Sequence, residues 1–208
     1  MTFRLTGSEQ IAQAADRDPA TPAELDTALL REVAQGNQLA MRSLFLRHRI
    51  RVYRFIRRTV SDHTLAEDLV SEVFFAAWQQ AGRFKGHSLV STWLLSIARH
   101  KALTAVKRPR FEQLDGEAAA AIPDPALDPE AEIRERDRRT ILRQCLTALS
   151  PDHGEMIDLV YYQQKSINEV AEILEIPTNT VKTRMFYARR RLAALLETAG
   201  FERPVQRG

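Results

Sequence analysis

The feature that most constrains this chain is the stretch FEQLDGEAAAAIPDPALDPE, residues 111–130, which interrupts an otherwise helix-like pattern. Three prolines fall in its second half, large apolar residues are few, and its charge is negative. Such a segment buries too little surface to offset the entropy of ordering, so it reads as an extended acidic linker. The chain is thereby divided in two. The boundaries expected are an N-terminal extension over 1–20, a front domain over 21–109, a linker over 110–129, a back domain over 130–200 and a tail over 201–208.

Charge follows the same division. Between Gly36 and Ser61 there is no acid, yet seven arginines fall there, Arg42 through Arg58. From Arg83 to Arg110 acids are again absent, while Arg83, Lys85, Arg99, Lys101, Lys107, Arg108 and Arg110 are present. Between Phe111 and Ile133 the sign reverses, with acids alone, and basic residues return at Lys182, Arg184 and Arg189-Arg190-Arg191. The net charge of +3 is modest, so the argument about partners rests on this arrangement. Two basic modules on an acidic tether are expected.

Helix signals are dense and strand signals nearly absent, so the expected fold class is all-α, two small helical domains. Thr21-Pro22-Ala23-Glu24 has the spacing of a capping box with a first-turn proline. Gly36 should end that helix and Asn37 begin the next, whose apolar side runs Met41, Leu44, Phe45, His48, Val52, Phe55 and Ile56 in three- and four-residue steps. Thr64-Leu65-Ala66-Glu67 reads as a second capping box, opening a helix that runs to Gly82. The loop Phe84–Ser88 leads to a fourth helix carrying Trp93, Leu94, Ile97, Ala98 and Ala105 and stopped by Pro109, in which Trp93 lies at core spacing with Leu94 and Ile97.

In the back half, a charged helix from Glu130 to Leu149 is followed by one opened at Ser150-Pro151. Ser166-Ile167-Asn168-Glu169 is a third capping box, opening a short helix to Leu174. A tight turn, Glu175-Ile176-Pro177, precedes a last helix capped by Thr178 and running to about Leu196. Short helix, tight turn, longer basic helix is the helix-turn-helix arrangement, with small Ala171 at the crossing and Ile176 and Val181 locking the pair. The last helix offers free N–H groups and a positive dipole end to phosphate. Its Lys182, Thr183, Arg184, Phe186, Tyr187 and Arg190 project away from the packing residues Val181, Met185 and Leu192, in reach of base edges. Arg189, Arg190 and Arg191 suit phosphates.

Enzyme readings find little support. No phosphate-cradling glycine loop is present, and His48, His63, His87, His100 and His153 lack metal-ligand spacing. The single cysteine, Cys145, lies on an apolar face and reads as a small core residue. No metal, cofactor or catalytic residue is expected. No apolar run reaches the roughly 18 residues of a membrane span, and the first residues lack a secretory signal, so a cytoplasmic protein without membrane insertion is expected. Rival readings are a dimeric helix-turn-helix regulator and a pure protein-interaction module.

The stretch from Thr64 to Arg110 resembles the core- and promoter-binding module of alternative sigma factors of bacterial RNA polymerase, and Ser166–Leu196 resembles their helix-turn-helix. Order and spacing are similar to the extracytoplasmic-function (ECF) group. The resemblance implies that Glu67, Asp68, Leu69, Glu72 and Val73 dock on the β′ clamp helices of RNA polymerase core. It implies contact with the opened −10 element through Arg83, Phe84, Lys85, His87, Ser88, Arg99, His100, Lys101, Lys107 and Arg108. The −35 element would be read by Asn179, Thr180, Lys182, Thr183, Arg184, Phe186, Tyr187, Arg190 and Arg191. It further implies docking on the β flap, a cognate anti-sigma factor, and association with the nucleoid in the holoenzyme. Asn179, Thr183, Tyr187 and His100 stand where the family more often has glycine, serine, arginine and asparagine.

Overall fold

A computed structural model describes residues 21–107 and 129–201. The N-terminal extension, nearly all of the linker, most of the tail, and Arg108 lie outside the described residues. Those described form helices, with no strand among them. In chain order they are α1 (Pro22–Ala34), α2 (Gln38–Arg57), α3 (His63–Gln80), a 3-10 turn (Ala81–Arg83), α4 (Val90–Lys107), α5 (Pro129–Thr147), α6 (Pro151–Ile157) running into a π turn (Asp158–Tyr162), α7 (Ile167–Leu174) and α8 (Thr178–Thr198).

Most helix starts follow local chemistry. The Thr21 hydroxyl accepts from the Glu24 amide while Glu24 accepts from the Thr21 amide, the reciprocal pair expected of a capping box. Asn37 Oδ1 accepts from the amides of Leu39 and Ala40, directly after Gly36 has turned the chain at φ +87°. Ser150 caps α6, and Ser166 with Glu169 forms the full box on α7.

Two caps differ from expectation. Helix α3 is capped by Asp62, whose carboxylate accepts from the Leu65 amide at 3.1 Å, so Thr64 lies inside the first turn. An ionised acceptor opposite the positive end of the helix dipole wins over a hydroxyl two residues later. Helix α8 starts at Thr178 with Pro177 in the capping place and no side-chain cap. Pro177 is already extended, at φ −59° and ψ 145°, and its carbonyl accepts from the Val181 amide, so the helix needs no hydroxyl to begin.

The front bundle closes around Leu44, Val52 and Ile56 of α2, Leu69, Val73 and Phe74 of α3, and Leu94, Leu95 and Ala98 of α4. Phe45 meets Phe74 edge to face, ring centres 4.9 Å apart. In the back domain, Met156, Leu159, Val170, Ile173, Val181, Met185 and Ala188 are buried. Glu175 ends α7 in the left-handed region at φ +55°, and its amide bonds back to the last turn. A left-handed non-glycine residue costs roughly 1–2 kcal/mol. Hydrogen bonds from the Glu175 and Ile176 amides to the Ala171 carbonyl, with Ile176 seated on the core, offset it. Cys145 is buried, as its apolar face suggested.

The two bundles touch. Helix α4 of the front domain lies against α7 of the back domain, and the buried apolar residues of both belong to one cluster. The linker reading alone did not anticipate this contact.

Candidate nucleic-acid interface

Helix α8 is positioned by one stripe. Val181, Met185 and Ala188 recur at four- and three-residue steps, are buried, and hold the helix on α6 and α7. Because that stripe is inward, Asn179, Lys182, Thr183, Phe186, Tyr187, Arg190 and Arg191 are exposed, with Thr180 and Arg184 half-buried. Two large aromatic rings in water are unusual: Phe186 is 61% and Tyr187 52% exposed, and they lie edge to face at 5.4 Å. The Thr183 hydroxyl donates to the Asn179 carbonyl, and Arg184 pairs with Asp152 at 3.3 Å. Arg189, grouped in the sequence with its two neighbours, stands apart from them, its guanidinium 5.7 Å from the Tyr161 ring centre. A groove of about 550 Å³ runs along this face, lined by Ile167, Lys182, Met185, Phe186, Arg189 and Arg190. Exposed aromatic and cationic groups on one helix face can stack on, bond to and neutralise a polyanion.

The second expected site is divided. Arg83, Lys85, His87, His100 and Lys107 are exposed, Ser88 is half-buried, and Phe84 packs at a tilt against Trp93, ring centres 5.2 Å apart. Trp93 thus packs with its neighbours, as read from its spacing. Arg99 does not face solvent freely: its Nε donates to Glu155 Oε1 at 3.0 Å, across to the back domain. Lys101 is paired with Glu72 at 2.8 Å.

The third expected set changes most. Glu67, Asp68 and Glu72 are exposed on α3, but Leu69 and Val73 are 4% and 0% exposed and belong to the domain core. They cannot touch a partner while the bundle is folded, because α3 has one apolar stripe and the bundle uses it. Phe75, not singled out in the sequence, is 63% exposed at helical spacing from Asp68 and Glu72. A second phenylalanine directly after Phe74, which fills the core, was the available signal.

The seam between the domains carries buried polar groups that sequence reasoning missed. Lys165 is 6% exposed, and its Nζ donates to Ser91 Oγ at 2.7 Å, Thr92 Oγ1 at 2.9 Å and Glu169 Oε1 at 2.9 Å. Burial alone would raise the Glu169 carboxyl, yet bonds from Thr92, Lys165 and Ser166 prevail and hold it at about 2. Burial lowers Lys165, against the pull of Glu169. Nearby, Arg58 reaches the Gly154 carbonyl at 3.2 Å and the Asp158 carboxylate at 3.5 Å. Burial pushes Asp158 up to about 6 despite Arg58 and Gln163. In the front domain, Asp26 accepts from Arg47 at 2.6 Å and lies 2.8 Å from His48, whose pKa burial lowers against the pull of Asp26. No His, Cys, Asp and Glu grouping among the described residues could hold a metal ion, and none of their helices is long and apolar enough to cross a membrane.

A basic helix-turn-helix joined to a helical bundle with an acidic α3 face defines a two-module transcription factor, and comparison with known proteins makes this specific. Sigma-70 region 2 matches residues 44–111, and Sigma-70, region 4 matches residues 139–192. The ECF RNA polymerase sigma factor SigK of Mycobacterium tuberculosis (strain ATCC 25618 / H37Rv) is 33% identical over 189 residues, covering 87% of this chain and 98% of that one. SigK of Mycobacterium sp. (strain KMS) is 31% identical, over 81% and 89% of the two chains. The chain belongs to the ECF sigma factors of RNA polymerase, which direct the core enzyme to specific promoters and initiate transcription there. The fold is shared with CnrH, solved in complex with the cytosolic domain of CnrY (TM-score 0.60, 24% identity, 84% of this chain and 98% of that one). It is shared too with RpoE of Bartonella quintana, solved with the anti-sigma factor NepR (TM-score 0.58, 24% identity, 75% and 96%).

Proposed function

We propose a division of labour among the faces described above. The acidic α3 surface of Glu67, Asp68 and Glu72, with Phe75 beside it, docks on the β′ clamp helices of polymerase core. Leu69 and Val73 act only by holding that helix in place. The Ala81–Arg83 turn, the loop after it and α4 engage the −10 element, with Arg83, Lys85, His87, Ser88, His100, Lys101 and Lys107 toward the strand and Arg99 joining once freed from Glu155. Phe84 supports the loop through Trp93. The −35 element is read in the major groove by Lys182, Thr183, Phe186 and Tyr187, with Asn179 and Thr180 at the helix start and Arg184, Arg190 and Arg191 toward phosphates. The back domain also meets the β flap.

The observation that carries this reading is the single packed stripe of α8, which turns every one of its base-reading candidates to one open face. The chain acts as a non-enzymatic, cytoplasmic factor, restrained by an anti-sigma protein, a reading supported by the shared fold of RpoE, solved in complex with the anti-sigma factor NepR. Its domain limits are 21–109 and 130–200, and limited proteolysis should cut first between Phe111 and Glu130. Run-off transcription with purified core, with and without the chain, tests the whole assignment: promoter-specific transcripts must depend on it.

A further inference from the structure

The buried groups at the seam do nothing for promoter reading, and their placement calls for a different role. Lys165 sits in the four-residue link, 163–166, before α7, after Gln164 at φ +54°, and its Nζ reaches into the first turn of α4. Its three oxygen partners match the three donors of an ammonium. Thr92, fully buried, donates in turn to Glu169 Oε1, so one carboxylate oxygen takes bonds from both domains. Its other oxygen accepts from the Ser166 amide, which ties this junction to the capping of the helix-turn-helix itself. Two further ties flank it: Arg99 to Glu155, and Arg58 to Gly154 and Asp158.

We propose that these contacts form an intramolecular latch that holds the free chain closed, front domain on back domain, and that polymerase core must open it. The proposal rests on the reading of α4 and Arg99 as part of the −10 module. The ties named here are polar, and they flank an apolar contact between α4 and α7. Each polar group can be rehydrated when the domains part, so opening the seam costs chiefly that apolar contact. In the closed chain Ser91 and Thr92 are covered and Arg99 is neutralised, so the −10 face is incomplete until the back domain leaves. The two domains also need to lie apart to span two promoter elements on one duplex.

The test uses the full chain. Glu155→Arg sets two cations against each other across the seam at a half-buried position, and the Arg99→Glu/Glu155→Arg double variant restores the pair with its sign reversed. Lys165→Met removes the central ammonium. A single compact body of this length has a radius of gyration of about 17 Å. By small-angle scattering, Glu155→Arg and Lys165→Met should each raise the parent's radius by ~3 Å or more with helical circular dichroism unchanged, and the double variant should return it. Glu155→Arg should also capture core severalfold faster. An unchanged radius in the folded Glu155→Arg chain would overturn the latch, as would loss of helix in both single variants, since the seam would then belong to the folding core. Capture of core no faster than the parent would overturn its inhibitory role. If parent and variants alike support no run-off transcript, the sigma assignment of these faces fails, while the scattering result still decides the latch.

Discussion

Thr92 Oγ1 donates to Glu169 Oε1 at 2.5 Å although 77 positions separate the two residues. Thr92 lies in the first turn of the fourth helix of the front domain and Glu169 completes the capping box of α7, so one bond joins the two domains. Its consequences can be measured.

Glu169 is held at about 2 in the folded chain against an ordinary 4.5. A lowered carboxyl contributes stability that is complete above 4.5 and is lost as pH falls toward 2. The melting temperature should therefore drop across that window in the parent. Glu169→Gln should be less stable at pH 7 and should show a flatter acid limb; a parallel limb in both chains would remove Glu169 as the cause.

Asp158 has the opposite sign. Its pKa is pushed from 3.8 up to about 6, chiefly by burial, so its contribution is present below pH 3.8 and lost as pH rises through 6. Asp158→Asn keeps the shape and can keep the Gln163 contact without a buried charge. It should gain about 1–3 kcal/mol at pH 7 and little at pH 4, by denaturant titration at both. Greater loss at pH 7 than at pH 4 would mean that the Arg58 ion pair outweighs desolvation.

On α3, exposure separates two kinds of residue. Asp68→Arg should weaken binding to polymerase core while leaving circular dichroism unchanged, because Asp68 faces water. Leu69→Ala should destabilise the front domain by about 2–5 kcal/mol, because Leu69 is a core residue. Undiminished core binding by the Asp68 variant would remove that face from the docking surface.

On α8, Tyr187→Arg should change which −35 sequence is preferred, since a good base contact is worth about 1–3 kcal/mol of discrimination. Arg191→Ala should weaken all promoters alike and reduce the salt dependence. Selection from a randomised −35 library by each holoenzyme separates the two. Parent preference in the Tyr187 variant would reverse the proposed orientation of the helix.

What the sequence by itself determined is whatever depends on near neighbours. The boxes at Thr21 and Ser166, the stop at Gly36, and the packing side of α8 at Val181 and Met185 follow from near spacings, so the helices and the open face of α8 were legible, while Ala188 joined that stripe only in the structure. Even local chemistry had competitors: Asp62 and Thr64 could each cap α3, and only geometry chose Asp62. Tertiary structure alone decided that Leu69 and Val73 are core rather than docking surface, because an apolar stripe does not say which surface will cover it. It alone brought Lys165 to Ser91 and Thr92, since a lysine between a glutamine and a serine reads as solvated until a helix more than seventy positions earlier arrives to desolvate it.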